Sequence, residues 1–146
     1  MLEELVRVDG VRHVAFIATL ARDDGEELIG EARYCVGADP ECAELLITVA
    51  DAWRGQGVAD QLLEHLLHMA RDAGLRWIFT EVPSTNHRSL GFLRRMGFLG
   101  CAMGASGAVL RMGRAVATRR PRAARRRPMA GLRRWLRIKW AQLMPR

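Results

Sequence analysis

What this 146-residue chain has little of narrows the field first. It holds three cysteines, Cys35, Cys42 and Cys101, an odd number with no CxxC or CxxH spacing. A disulfide framework or a zinc site is therefore not expected, and reduced thiols in a cytoplasmic setting are the default. Cys35 and Cys42 fall in strand-like stretches and read as small buried hydrophobes. The apolar runs, AELLITVA among them, fall far short of the roughly 18–20 residues that a spanning helix needs. The opening MLEELVRVDG is acidic and lacks the basic start and apolar stretch of a secretory signal. No internal repeat is visible. An apolar content of 49% is ordinary for one globular domain.

Acid is missing from the last quarter of the chain. Residues 111–146 carry twelve arginines, one lysine and no acid, a net +13. Residues 1–110 carry ten arginines against sixteen acids, a net −6. The chain thus reads as an acidic domain, residues 1–112, joined to a basic tail, residues 113–146. Residues 115–129, around RRPRAARRRP, read as disordered. Residues 131–144 (GLRRWLRIKWAQLM) are expected to form a short amphipathic helix with Leu132, Trp135, Leu136, Trp140 and Leu143 on one face. Such a tail attracts polyanions, and an anionic membrane surface or nucleic acid both fit its chemistry. A solvated extension with no specific partner fits as well. Membrane contact would place the protein at the membrane periphery. The oligomeric state stays open.

Periodicity divides the domain. Residues 13–20 (HVAFIATL) and 28–36 (LIGEARYCV) predict two strands, with Asp24-Gly25 a hairpin signal between them. Residues 43–49 (AELLITV) predict a third, making an antiparallel meander. From Val58 to Ala73 the period lengthens, with Leu62, Leu66, Met69 and Ala73 on one helical face and Gly74 as the stop. Residues 76–82 (RWIFTEV) predict a strand parallel to the third, since a whole helix separates the two. Ser84, Thr85 and Asn86 offer capping side chains to a second helix running to Gly97. Residues 98–111 predict a closing hairpin around Gly-Ala-Ser-Gly. The fold class is α/β with a mixed sheet.

The chemistry concentrates in residues 50–59, ADAWRGQGVA, between a strand and a helix. Gly55 and Gly57 permit a tight turn and close approach of a ligand to backbone. The helix start behind them presents unpaired N–H groups and a partial positive charge, which suits a phosphate. A plain glycine turn has the same spacing. Arg54-Gly55-Gln56-Gly57-Val58-Ala59 also resembles the pyrophosphate loop of the GNAT acetyltransferases, (Q/R)-x-x-G-x-(G/A). Asn86, Ser89, Phe92, Gly97 and Phe98 resemble that superfamily's second signature, at the usual distance downstream. Within the superfamily, residues 43–63 are most similar to the acetyltransferase domain of bacterial Pat-type protein lysine acetyltransferases.

The resemblance implies the GNAT fold and acetyl-CoA as co-substrate, with no metal. It implies pyrophosphate on the backbone of Arg54, Gly55, Gln56, Gly57, Val58 and Ala59, and the pantetheine arm beside Thr48 and Val49. Asn86 and Ser89 would meet the arm from the opposite strand. The matching glutamate of Pat-type domains implies Glu44 as general base, and its place in an apolar strand predicts partial burial. Glu81 is a second carboxylate for catalysis or for orienting the acceptor. The acceptor would be an amine, a protein lysine or a small molecule, attacking directly in a ternary complex. A non-catalytic acyl-CoA-binding module is the alternative. Leu93 stands where many relatives have a proton-donating tyrosine, and only residues 1–12 precede the first strand, room for one short helix. His65 and His68, three apart without a third ligand, read as surface or packing residues, as does Trp53 beside the loop.

Overall fold

The computed structural model describes residues 12–116 and 136–140. Strands β1 (His13–Arg22), β2 (Gly25–Val36) and β3 (Cys42–Val49) form the antiparallel meander that alternation predicts. A short 3-10 turn (Asp51–Trp53) leads into helix α1 (Val58–Asp72). Strand β4 (Trp77–Pro83), helix α2 (His87–Arg95) and the hairpin β5 (Leu99–Met103) and β6 (Val109–Ala115) follow, then β7 (Leu136–Trp140). The sheet has seven strands in the order β5-β6-β4-β3-β2-β1-β7, with β3 and β4 the parallel pair.

Alternation decides which face each side chain takes. On β3, Ala43 and Leu45 are buried while Glu44, Leu46 and Thr48 are exposed; on β4, Ile78 and Val82 are buried while Trp77 and Glu81 are exposed. Helix α1 buries Val58, Leu62, Leu63, Leu66, Leu67 and Ala70, and α2 adds Leu90 and Leu93 to the same core. An ion pair between Arg95 Nη2 and Asp60 Oδ1, 3.3 Å, ties the two helices together. Both helices therefore cover one face. The other face is left open around Leu46, Trp77 and Leu99, which are 46%, 41% and 78% exposed.

Three expectations change. The first hairpin turns on Asp23 and Asp24 alone, with Arg22 paired to Gly25, so both strands run further than alternation predicted. Gly25 accommodates the exit at φ 142°, and Arg22 Nε donates to Glu27 Oε2 at 2.8 Å across the turn. Second, β6 continues to Ala115 and Val116 is buried, so the ordered sheet extends into the segment assigned to the tail. Third, the helix expected over residues 131–144 is overturned where it can be seen: Leu136–Trp140 is a strand, antiparallel to β1 from Leu20↔Leu136 to Phe16↔Trp140. LRIKW also alternates apolar and basic residues, and the free edge of β1 supplies the backbone partners that a lone helix lacks. Ile138 packs against the core, and Arg137 Nη1 lies 3.6 Å from Glu26 Oε1. The remaining tail expectations, at residues 117–135 and 141–146, lie outside the described residues, as does a helix within residues 1–11.

One buried cation closes the core. Arg114 on β6 is 9% exposed, and its Nη1 donates to the carbonyl of Met96, the C-cap of α2, at 2.6 Å. Burial, with Arg71 adding to it, lowers the affinity of this guanidinium for its proton. Its place is nonetheless favourable, because the last carbonyls of a helix carry partial negative charge. Arg114→Met should leave the Met96 carbonyl unpaired and cost about 2 kcal/mol. Urea unfolding would show this as a lower midpoint with an unchanged slope.

Candidate active site

The site begins where β3 and β4 part. They pair at Cys42↔Trp77, Ala43↔Ile78 and Glu44↔Phe79, and no further. Beyond that point β3 stays on β2 and β4 stays on β6 up to Pro83. The two strands open into a wedge, and the β4-facing backbone of β3 past Glu44 has no strand partner among the described residues. An unpaired strand edge of this kind accepts an extended ligand as if it were another strand.

At the wide end the chain leaves β3 through a series of tight turns. A register slip between Ala18 and Thr19 makes Ile29 a bulge on β2. The Ile29 carbonyl accepts from Ala50 N at 2.8 Å, which anchors the chain as it leaves β3. Gly55 and Gly57 then take φ of 73° and 86°, values that side chains rarely adopt. Gly57 is the N-cap of α1, and the Gln61 N–H is the one bonded to its carbonyl, at 3.1 Å. The N–H groups at the start of α1 thus precede the first helical bond and could hold an anion. Trp53 packs against the core beside it, with the Arg22 guanidinium 6.0 Å from the ring centroid.

The predicted binding residues divide. Gly55, Gln56, Gly57, Val58 and Ala59 line the loop and first helical turn, although Val58 is buried and contributes backbone alone. Gln56 Nε2 donates to Ala52 O at 3.2 Å, bracing the loop. Arg54 is turned back: its Nη2 pairs with Asp51 Oδ1 at 2.8 Å and its Nε donates to Val49 O at 3.2 Å. Arg54 thereby holds the end of β3, and the Val49 carbonyl is already engaged. Thr48 lies exposed on the open face. Across the wedge, Asn86 caps α2, its Oδ1 accepting from Ser89 N at 3.1 Å, so these two residues are first a helix start. Leu93 is buried in the core.

The two carboxylates share the open face but not the same circumstances. Glu44 is exposed at the apex of the wedge, contrary to the partial burial expected of it, because its strand presents residues 44, 46 and 48 to the uncovered side. Glu81 Oε1 instead accepts from Arg111 Nη2 at 2.6 Å and Nε at 3.2 Å. The Arg111 guanidinium also lies 4.6 Å from the Phe79 ring centroid. These bonds to Glu81 raise the proton affinity of Arg111. Cys42 is disfavoured as a nucleophile, since hydrogen bonding to Asp39 Oδ2 at 3.2 Å pushes its thiol pKa up. His65 and His68 are occupied with Gln61 O and Asp72.

Residues 3–98 match the model of the acetyltransferase (GNAT) family. The chain belongs to that family. It is 30% identical over 101 residues to an acetyltransferase of Pseudomonas aeruginosa, covering 68% of this chain and 54% of that protein. It is 27% identical over 95 residues to the streptothricin acetyltransferase of Streptomyces lavendulae, covering 55% and 50%. The chain thus spans about half the length of these curated relatives. Among solved structures, the GNAT domain of Streptomyces lividans PAT superposes with a TM-score of 0.62 at 27% identity, covering 78% of this chain and 66% of that one. A Salmonella typhimurium structure with its cofactor acetyl-CoA shares the fold, with a TM-score of 0.56 at 20% identity, covering 73% and 68%. The GNAT fold and the Pat-type likeness expected from sequence therefore hold.

Sequence reasoning missed two residues of this GNAT domain. Arg111 has no local signal, because it meets Glu81 only through strand register thirty residues away. Gly30 could have been found as a glycine inside a strand. A Cβ there would stand 3.2 Å from Leu62 Cδ1 and the Thr48 carbonyl and 3.3 Å from Val58 Cγ1. Gly30 thus lets the first turn of α1 settle onto the sheet beside the wedge. Gly30→Val should cost about 2 kcal/mol through overpacking, and should weaken coenzyme A binding in calorimetry by displacing the loop. Unchanged values for both would remove Gly30 from this role.

Proposed function

We propose that this chain transfers the acetyl group of acetyl-CoA to a primary amine, a protein lysine foremost, by direct attack. The observation that carries the reading is the wedge between β3 and β4, with a helix N-terminus at its wide end and an exposed carboxylate at its apex. The residues fit the cofactor: the glycine loop and the α1 start offer backbone N–H groups to a pyrophosphate, and the free edge of β3 matches an amide-containing arm. When bound, acetyl-CoA supplies a thioester-activated acetyl group. The likeness to the PAT domain supports a lysine acceptor, and the uncovered sheet face supports an acceptor presented by a macromolecule.

In this reading the Glu44 carboxylate takes the proton from the acceptor's ammonium, which frees the nitrogen lone pair. A backbone N–H on the free edge of β3 polarises the acyl oxygen. The unused side of Asn86, its amide nitrogen, is a donor for the cofactor arm. Leu93 supplies no proton. The reaction tolerates this, since a thiol of pKa about 8.5 leaves readily as its anion.

Acetyl-CoA titrated into the protein should bind saturably, and tetralysine should then be acetylated. Glu44→Gln should lower turnover at least ~100-fold while the dissociation constant for acetyl-CoA stays unchanged. Binding without turnover in the wild type, whatever amine is offered, would leave an acyl-CoA-binding module in place of an enzyme.

A further inference from the structure

We infer that Arg111 is a positioning residue which takes Glu81 out of play, so that Glu44 alone meets the acceptor as a free carboxylate. The inference rests on the acetyltransferase reading and adds a division of labour to it.

The two glutamates look equivalent by placement. Both are exposed on the open face, on adjoining strands that flank the wedge. Register separates them. Phe79 is the partner of Glu44 across the β3–β4 pair, and Glu81 lies two residues further along β4 on the same face. Arg111 is the β6 partner of Glu81, and its guanidinium reaches back over Phe79, 4.6 Å from the ring centroid. Its planar group is thus held on one side by the ring face and along its Nε–Nη2 edge by a single oxygen, Glu81 Oε1. Each contact restrains the cation in the orientation that the other needs, which an isolated surface pair lacks. No hydrogen bond or ion pair holds the Glu44 carboxylate among the described residues.

The arrangement matters because two free carboxylates at one wedge would compete for the incoming ammonium. An ammonium paired with a free Glu81, further along β4, would be held away from the apex. A mispositioned acceptor is costly, since small displacements from the reactive geometry lower rates steeply. With Glu81 neutralised by Arg111, the ammonium has one anionic destination. Among the described residues, the other charged and titratable groups on this face include Cys35, the β2 partner of Glu44, and His13, the β1 partner of Cys35. Arg33, 3.9 Å from Glu31, and Cys101, the β5 partner of Arg111, lie there too. None of these is a carboxylate, apart from Glu31 beside Arg33, and the register partners of Phe79 are Glu44 and Gly113 alone.

Carbodiimide-driven coupling of glycine ethyl ester to carboxylates, read by peptide mass spectrometry on the full chain, tests the clamp without any turnover. In the wild type Glu44 should label several-fold faster than Glu81, although both are solvent-exposed. In Arg111→Met, Glu81 should label as fast as Glu44, and Arg111→Lys should restore part of the protection. Equal labelling of the two glutamates in the wild type overturns the proposal. The consequence for catalysis is read with acetyl-CoA and tetralysine: Glu44→Gln/Arg111→Met should turn over at least tenfold faster than Glu44→Gln, because the released Glu81 can then accept the proton. A double variant as inactive as Glu44→Gln, with Glu81 labelled freely, also overturns it. Full turnover by Glu44→Gln alone would instead sink the base assignment and leave the labelling result standing.

Discussion

Everything at the site follows from a hydrogen-bond ladder that stops early. Parallel strands joined by a helix ordinarily pair along their length, and the backbone groups left over must find other partners. Here β3 and β4 share three register pairs and then separate, each held by its antiparallel neighbour on the far side. The divergence cannot close without tearing one of those ladders. An edge inside a sheet is thereby made permanent, and an extended ligand can complete what the strands leave undone.

The surrounding features keep the wedge open and give it chemistry. The Ile29 bulge fixes where the chain leaves β3, and Arg54 holds the end of that strand through Val49 O. Two glycines in left-handed conformation turn the backbone into α1, and Gly30 lets that helix sit close enough for its N-terminus to face the opening. On the other side Asn86 starts α2, and Arg114 closes its far end from within the core. The two described helices share one face and leave the other to the carboxylates.

Much of this was legible in the residues. The meander, the switch from period two to period 3.6 at Val58 and the parallel return at Trp77 all carry local signals, because each depends on burying one face of one element. The glycine loop and the Asn86 cap were equally plain. What stayed hidden depends on pairing between distant segments. Glu44 lies in an apolar run, yet its exposure follows from having no layer above it among the described residues, which no local pattern records. Arg111 finds Glu81 only once β6 is laid beside β4. LRIKW fits both a helical face and an alternating strand, and the vacant edge of β1 decides between them.

That last pairing bears on the outer margin of the sheet. β1 would otherwise be an outer strand with its amides and carbonyls bare along one side, a template for joining a second sheet. Residues 136–140 occupy that side over five positions, and their basic character discourages a further strand from adding outside them. A version shortened to end at residue 116 would keep both glutamates, the glycine loop and the wedge, yet uncover a long apolar edge at the opposite margin. Self-association would be the first symptom of losing the tail.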